Sequence, residues 1–146
     1  MGAVANWDKR FLGLAEHIST WSKDPSTKVG AVIVRPDFTV ASIGYNGFPR
    51  GMSDQSPLYE DREVKLSRIV HAEMNAILHA REPLKGYTLY TFPVLTCDRC
   101  AVHVIQSGIG RVVAPVAPEG LSERWGEMFR KAKAYYIEGN VVVTEL

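Results

Sequence analysis

Residues 71–114 read HAEMNAILHA REPLKGYTLY TFPVLTCDRC AVHVIQSGIG RVVA, and this stretch decides the fold. A helical pattern over residues 66–81, starting close to His71, stops at Pro83. A strand follows at 87–92. Residues 97–106 then read as a short helix, with Asp98 in its first turn and Gly108 near its C-terminal cap. A second strand occupies 111–114. Toward the C-terminus, Leu121, Trp125, Met128, Phe129 and Ala132 mark one apolar helix face, Gly139-Asn140 ends that helix, and 141–144 is the last strand. Toward the N-terminus, 46–57 reads as loop, carrying Gly47, Pro49, Gly51 and Pro57. Two runs rich in β-branched residues, 29–34 and 40–45, flank Pro36-Asp37 and predict a hairpin. Trp7, Phe11, Leu14, Ala15, Ile18 and Trp21 form the stripe of a first helix, with Asn6 as its N-cap and Asp8 at its positive end; residues 22–25 end it. The order α-β-β-α-β-α-β-α-β predicts an α/β fold: helices on both faces of a mixed five-stranded sheet, with the last two strands parallel.

At 146 residues the chain has the size of one domain, and residues 1–146 are taken as a single unit without repeats or linkers. Hydrophobic residues make up 46% and charged residues 23%, which excludes disordered, collagen-like and coiled-coil chains. A net charge of +1 gives no global reason to hold a polyanion, so a small charged substrate is expected rather than nucleic acid. Residues 1–10 contain no apolar signal segment, and Asn6 departs from the myristoylation pattern that would use Gly2. Without an apolar run near 18 residues, the reading is a cytoplasmic protein away from membranes.

Cys97 and Cys100 are too few for a disulfide framework. Three apart on a helix, their side chains point to one side, and a helix N-terminus favours the thiolate that a metal needs. A redox pair, another kind of metal site and two core cysteines stand beside zinc as readings of this spacing alone. His17, His79 and His103 read as ordinary surface or satisfied histidines. His71 differs because Glu73 follows it by two residues: a carboxylate there can serve as base for water at a metal without joining the metal. One histidine and two cysteines leave the fourth zinc position open, as catalytic sites require.

His71-Ala72-Glu73 followed by Cys97-Asp98-Arg99-Cys100 is the H-x-E and C-x-x-C signature of zinc nucleobase deaminases. The sequence resembles the cytidine and deoxycytidylate deaminase superfamily over nearly its whole length. The deoxycytidylate (dCMP) branch is suggested by Trp7-Asp8 with Phe11, by Ser22-Lys23-Asp24-Pro25 leading to Lys28-Val29-Gly30-Ala31, by Gly44-Tyr45-Asn46-Gly47 with Pro49 and Gly51, and by residues 71–77. One departure is visible: Thr96 stands where the family places proline before its first cysteine.

The resemblance implies a three-layer α-β-α cytidine-deaminase-like fold. It implies one Zn²⁺ per subunit on His71, Cys97 and Cys100, with Glu73 passing protons from water to the ring and to the leaving amine. It implies that Asn46 meets the sugar, that the Ala72 backbone holds the pyrimidine edge and that Val29 lines the base. Asn46 also reads as a turn residue before Gly47, and Tyr45 and Phe48 read equally as core or pocket wall. For a phosphate or an effector, Lys28, Arg50 and Arg99 are the cationic candidates. The implied activity is hydrolysis of dCMP to dUMP and ammonia, feeding thymidylate synthesis. Implied partners are dCTP and dTTP as effectors, with Mg²⁺ accompanying the nucleotide, and further copies of the chain as a hexamer or dimer. The competing readings are a deaminase of free nucleosides, modified pyrimidine nucleotides or transfer-RNA adenosine, and a catalytically silent zinc or nucleotide sensor on the same fold.

Overall fold

The computed structural model describes residues 3–120 and 123–146. Along the chain lie α1 (Ala3–Ser19), β1 (Gly30–Val34), β2 (Val40–Tyr45), α2 (Ser56–Glu60), α3 (Arg62–Arg68), α4 (Ala72–His79), β3 (Thr88–Phe92), α5 (Asp98–Gln106), β4 (Arg111–Ala114), α6 (Glu123–Glu138) and β5 (Val142–Glu145). The five strands form one sheet in the order β2-β1-β3-β4-β5. Strand β1 is antiparallel to both β2 and β3, whereas β3, β4 and β5 run parallel. This is the mixed sheet that the alternation of elements predicts.

Alternation along each strand divides the core. Val32, Val34, Tyr90 and Val113 face α1 and pack on Phe11 and Ala15. Ala31, Ile33, Leu89, Val112 and Ala114 face the other way, against Ala72 and Ala76 of α4, Ala101 and Val104 of α5, and Phe129, Ala132 and Tyr136 of α6. With both faces covered, β1 is apolar throughout rather than alternating. Gly30 lets α1 approach the sheet: a Cβ there would lie 2.0 Å from the Ala15 carbonyl oxygen.

Five sequence expectations need correction. Asn6 lies inside α1 rather than capping it, and Trp21 lies beyond the helix and is exposed. The helix expected over 66–81 is split, because Ile69, Val70 and His71 leave helical geometry and Val70 pairs with Gly47. The loop expected over 46–57 gives way at Ser56 to α2, and α3 follows it. Asp8 does not serve the helix end but is buried beneath it. Leu121, expected on the face of the last helix, and Gly2, set aside as a myristoylation site, lie outside the described residues.

The Asp8 carboxylate accepts hydrogen bonds from the Tyr90 hydroxyl at 2.6 Å and from both Arg111 terminal nitrogens at 2.9 and 2.6 Å. Burial pushes this carboxyl up, but Arg111 and Tyr90 together hold it below its ordinary value. A depressed carboxylate adds stability above its unfolded value of 3.8, and that stability drains away as pH falls through the lower folded value. Asp8→Ala should therefore cost about 3 kcal/mol in denaturant melts at neutral pH, the low end for a broken buried pair because Arg111 remains partly solvated. The variant should also lose this part of the acid-side decline. Equal midpoints at neutral pH would show that the pair does not hold α1 to the sheet.

Candidate active site

Two helix N-termini build the site. His71 caps α4 with extended backbone, φ −67° and ψ 153°. The preceding residues are extended because Val70 and Gly47 exchange backbone hydrogen bonds at 2.8 and 3.1 Å. Helix α4 lies tight against β2, since a Cβ on Gly44 would stand 2.4 Å from the Ala72 carbonyl oxygen. The Asn75 side-chain amide donates to the Tyr45 carbonyl at 2.8 Å and fastens the same helix. Cys97 caps α5, and its sulfur accepts the Cys100 backbone N–H at 3.4 Å.

The His71 Nδ1 atom lies 3.2 Å from the Cys100 sulfur and 3.6 Å from the Cys97 sulfur. Tetrahedral zinc with ordinary bond lengths separates its nitrogen and sulfur ligands by about 3.6 Å. All three ligand atoms lie within 4.8 Å of one another, and among the described residues this is the one such group of His, Cys, Asp or Glu side chains. The donor set fits zinc and leaves one tetrahedral position open. Hydrogen bonding from Cys100 holds the Cys97 thiol far below the ordinary thiol range, at about 4, and Cys100 is pushed up in turn. The hydrogen bond to Cys97 raises His71 against the opposing effect of burial. Glu73, in the first turn of α4, is 4% exposed. Burial pushes its carboxyl up, while the neighbouring His71 pulls it down.

His71, Glu73 and Cys97 line a cavity of about 410 Å³. Val29, Asn46, His71, Ala72, Glu73, Cys97 and Arg99, all singled out in the sequence, line it. Asn46 is well committed: its Oδ1 accepts from the Val29 N–H at 2.9 Å, and its Nδ2 donates to the Thr27 carbonyl at 2.9 Å and to Asp24 at 3.3 Å. Lys28 and Arg50 are not in the lining. The Lys28 ammonium donates to the Ser22 carbonyl. Arg50 is exposed and lies near His79, whose imidazole is depressed first by burial and then by the charges of Arg50 and Arg81. Phe48 stacks on Tyr59 at 4.0 Å, and Tyr45 faces the edge of Trp21, so neither forms pocket wall.

The sequence reading missed the opposite wall, where Arg62, Lys65, Leu66 and Ile69 stand with Ser26 and Thr27. Lys65 is 8% exposed and donates to Asp24 at 3.2 Å and to the Ser26 hydroxyl at 3.1 Å. Trp125, Met128 and Phe129 of α6 complete the lining. The available signal for the first group was Ser26-Thr27 beside the Ser22-Lys23-Asp24-Pro25 motif; α3 offered none.

The family model for the cytidine and deoxycytidylate deaminase zinc-binding region matches residues 5–116. A deaminase encoded 3′ of luxG in Aliivibrio fischeri is 41% identical over 98% of this chain and 95% of its own length. Human deoxycytidylate deaminase is 37% identical over 73% of this chain, which spans only 63% of the human protein. The fold is that of the cyanophage S-TIM5 dCMP deaminase solved with dCMP and dUMP: TM-score 0.69, 21% identity, 94% of this chain and 95% of that one. Sequence match, sheet order and paired helix caps converge, and the chain belongs to the cytidine and deoxycytidylate deaminase family.

Proposed function

We propose that residues 1–146 act as one catalytic domain that hydrolyses dCMP to dUMP and ammonia. The observation that carries this reading is a buried glutamate beside a His-Cys-Cys trio, with Glu73, His71 and Cys97 lining one cavity. His71 Nδ1 and the sulfurs of Cys97 and Cys100 would hold Zn²⁺, which supplies a Lewis acid that makes water nucleophilic at neutral pH. Glu73 takes a proton from that water and delivers it to N3 of cytosine. After water adds at C4, Glu73 takes the remaining proton from the new C4 hydroxyl and hands it to the amine, which leaves as ammonia while C4 becomes the carbonyl. Asn46 offers its remaining Oδ1 lone pair to the sugar, the Ala72 backbone meets the pyrimidine edge, and Val29 packs on the base. Glu73 also favours an enzyme over a silent sensor, since a sensor needs the metal but not the base.

The cations that line the cavity, Arg62, Lys65 and Arg99, are the candidates to receive the 5′-phosphate. An ammonium has three donors, and Asp24 and Ser26 take two of those on Lys65. Lys65→Met should lower kcat/KM for dCMP about 10–100-fold further than for deoxycytidine, the worth of one charge-assisted contact; any loss the two substrates share comes through Asp24 and Asn46. Equal losses on both substrates would remove Lys65 from phosphate recognition.

Regulation by dCTP and dTTP with Mg²⁺, a homo-oligomeric state as hexamer or dimer, and a cytoplasmic location complete the proposal; family resemblance supports them. Exposed Leu66, Leu78 and Val102 offer apolar surface for contact between copies. Among the described residues, no helix is long and apolar enough to cross a membrane. The deciding experiment presents the zinc-loaded protein with dCMP, deoxycytidine and CMP separately, following ammonia release and cytosine absorbance. Turnover of dCMP far above that of deoxycytidine or CMP supports the reading. Inactivity on all three, with zinc bound and the fold intact, overturns it.

A further inference from the structure

The position that departs from the family pattern carries a bond of its own. Thr96 and Tyr136 are both fully buried, and their hydroxyl oxygens lie 2.6 Å apart. Thr96 immediately precedes the helix cap Cys97, and Tyr136 belongs to α6, which also walls the cavity through Trp125, Met128 and Phe129. Within α5 the Cys97 sulfur accepts from the Cys100 N–H and its carbonyl from the Ala101 N–H at 3.0 Å, and outside α5 the sulfur meets His71 Nδ1 at 3.6 Å. The Thr96–Tyr136 bond joins the loop entering α5 to a different helix. Stability alone does not call for it, because two apolar groups of the same shape can replace a buried hydroxyl pair at almost no cost.

We infer that the Thr96–Tyr136 hydrogen bond tethers the Cys97 loop to α6 and sets the place of the Cys97 sulfur, which makes Tyr136 a positioning residue for the metal centre. The inference rests on the proposed Zn²⁺ site of His71, Cys97 and Cys100. A tether of this kind acts on the metal as the outer partners of ligands do, and loss of such a partner costs about 10–100-fold in affinity.

The test measures Co²⁺ affinity by competition with a chromophoric chelator, together with the thiolate-to-Co²⁺ charge-transfer bands and urea melts of the metal-free protein. The variants are Thr96→Val, Thr96→Ser, Tyr136→Phe and the Val/Phe double. Wild type and Thr96→Ser should bind alike. Each hydroxyl-deleting single should bind at least tenfold more weakly. The double should recover stability in urea, because no hydroxyl is left unpaired, and yet bind no better than either single. If affinity returns along with stability in the double, or never falls in the singles, the pair is only core packing and the inference is overturned. Should one single fail to fold, the double and the other single still decide the question. Failure of wild type to bind Co²⁺ would overturn the metal reading itself, separately from the tether.

Discussion

Glu73→Ala, loaded with zinc, keeps its metal and loses turnover. The fall in kcat should reach about 10⁴-fold or more, the upper reach of general acid–base catalysis, because one carboxylate serves each proton transfer. Glu73→Gln keeps the shape and should be equally inactive. The metal should stay because Glu73 is outside the trio of ligand atoms. The fold should stay as well: burial already works against this carboxyl's charged form, so alanine relieves that penalty. Metal analysis, a thermal melt and single-turnover ammonia release on the same sample check all three points. Near-normal turnover would remove Glu73 from the proton path.

Cys97→Ala should lose both metal and activity. Three ligand atoms define the centre, and removing one leaves a histidine and a single thiolate, too few for a zinc site with one open position. The affinity loss should exceed ~100-fold, beyond what outer partners of ligands cost. Dialysis against a chelator followed by metal analysis reads this directly, and retained stoichiometric zinc would strike Cys97 from the ligand set. The two variants part cleanly: one keeps metal without chemistry, the other keeps neither.

The metal cluster was legible because local spacing writes it. Glu73 lies two positions after His71 and Cys100 three positions after Cys97, and each pair sits at one helix start. Strands β2 and β4 were legible for the same reason, as short apolar runs between turns. The far wall was not. Ile69 and Val70 continue an apparently helical run, and only their pairing with Gly47 breaks it. Lys65 reads as a surface charge until Asp24, 41 residues earlier, is brought beside it. Asp8 looked like a helix-end acid because its true partner is 103 residues away. Met128 and Phe129 were found as an apolar helix face, but no periodicity says that such a face will look into a cavity.

That 103-residue separation also sets a schedule for biosynthesis. The first helix leaves the ribosome long before Tyr90 and Arg111 exist to receive its carboxylate. At about 5–20 residues per second the wait is roughly 5–20 s. Until β3 is made, Phe11 and Ala15 have only the β1–β2 hairpin to cover them, and the face that Val113 completes stays open until β4 follows. The nascent chain therefore exposes an apolar strip along α1, the kind of surface that holdase chaperones bind, until β4 emerges and closes it.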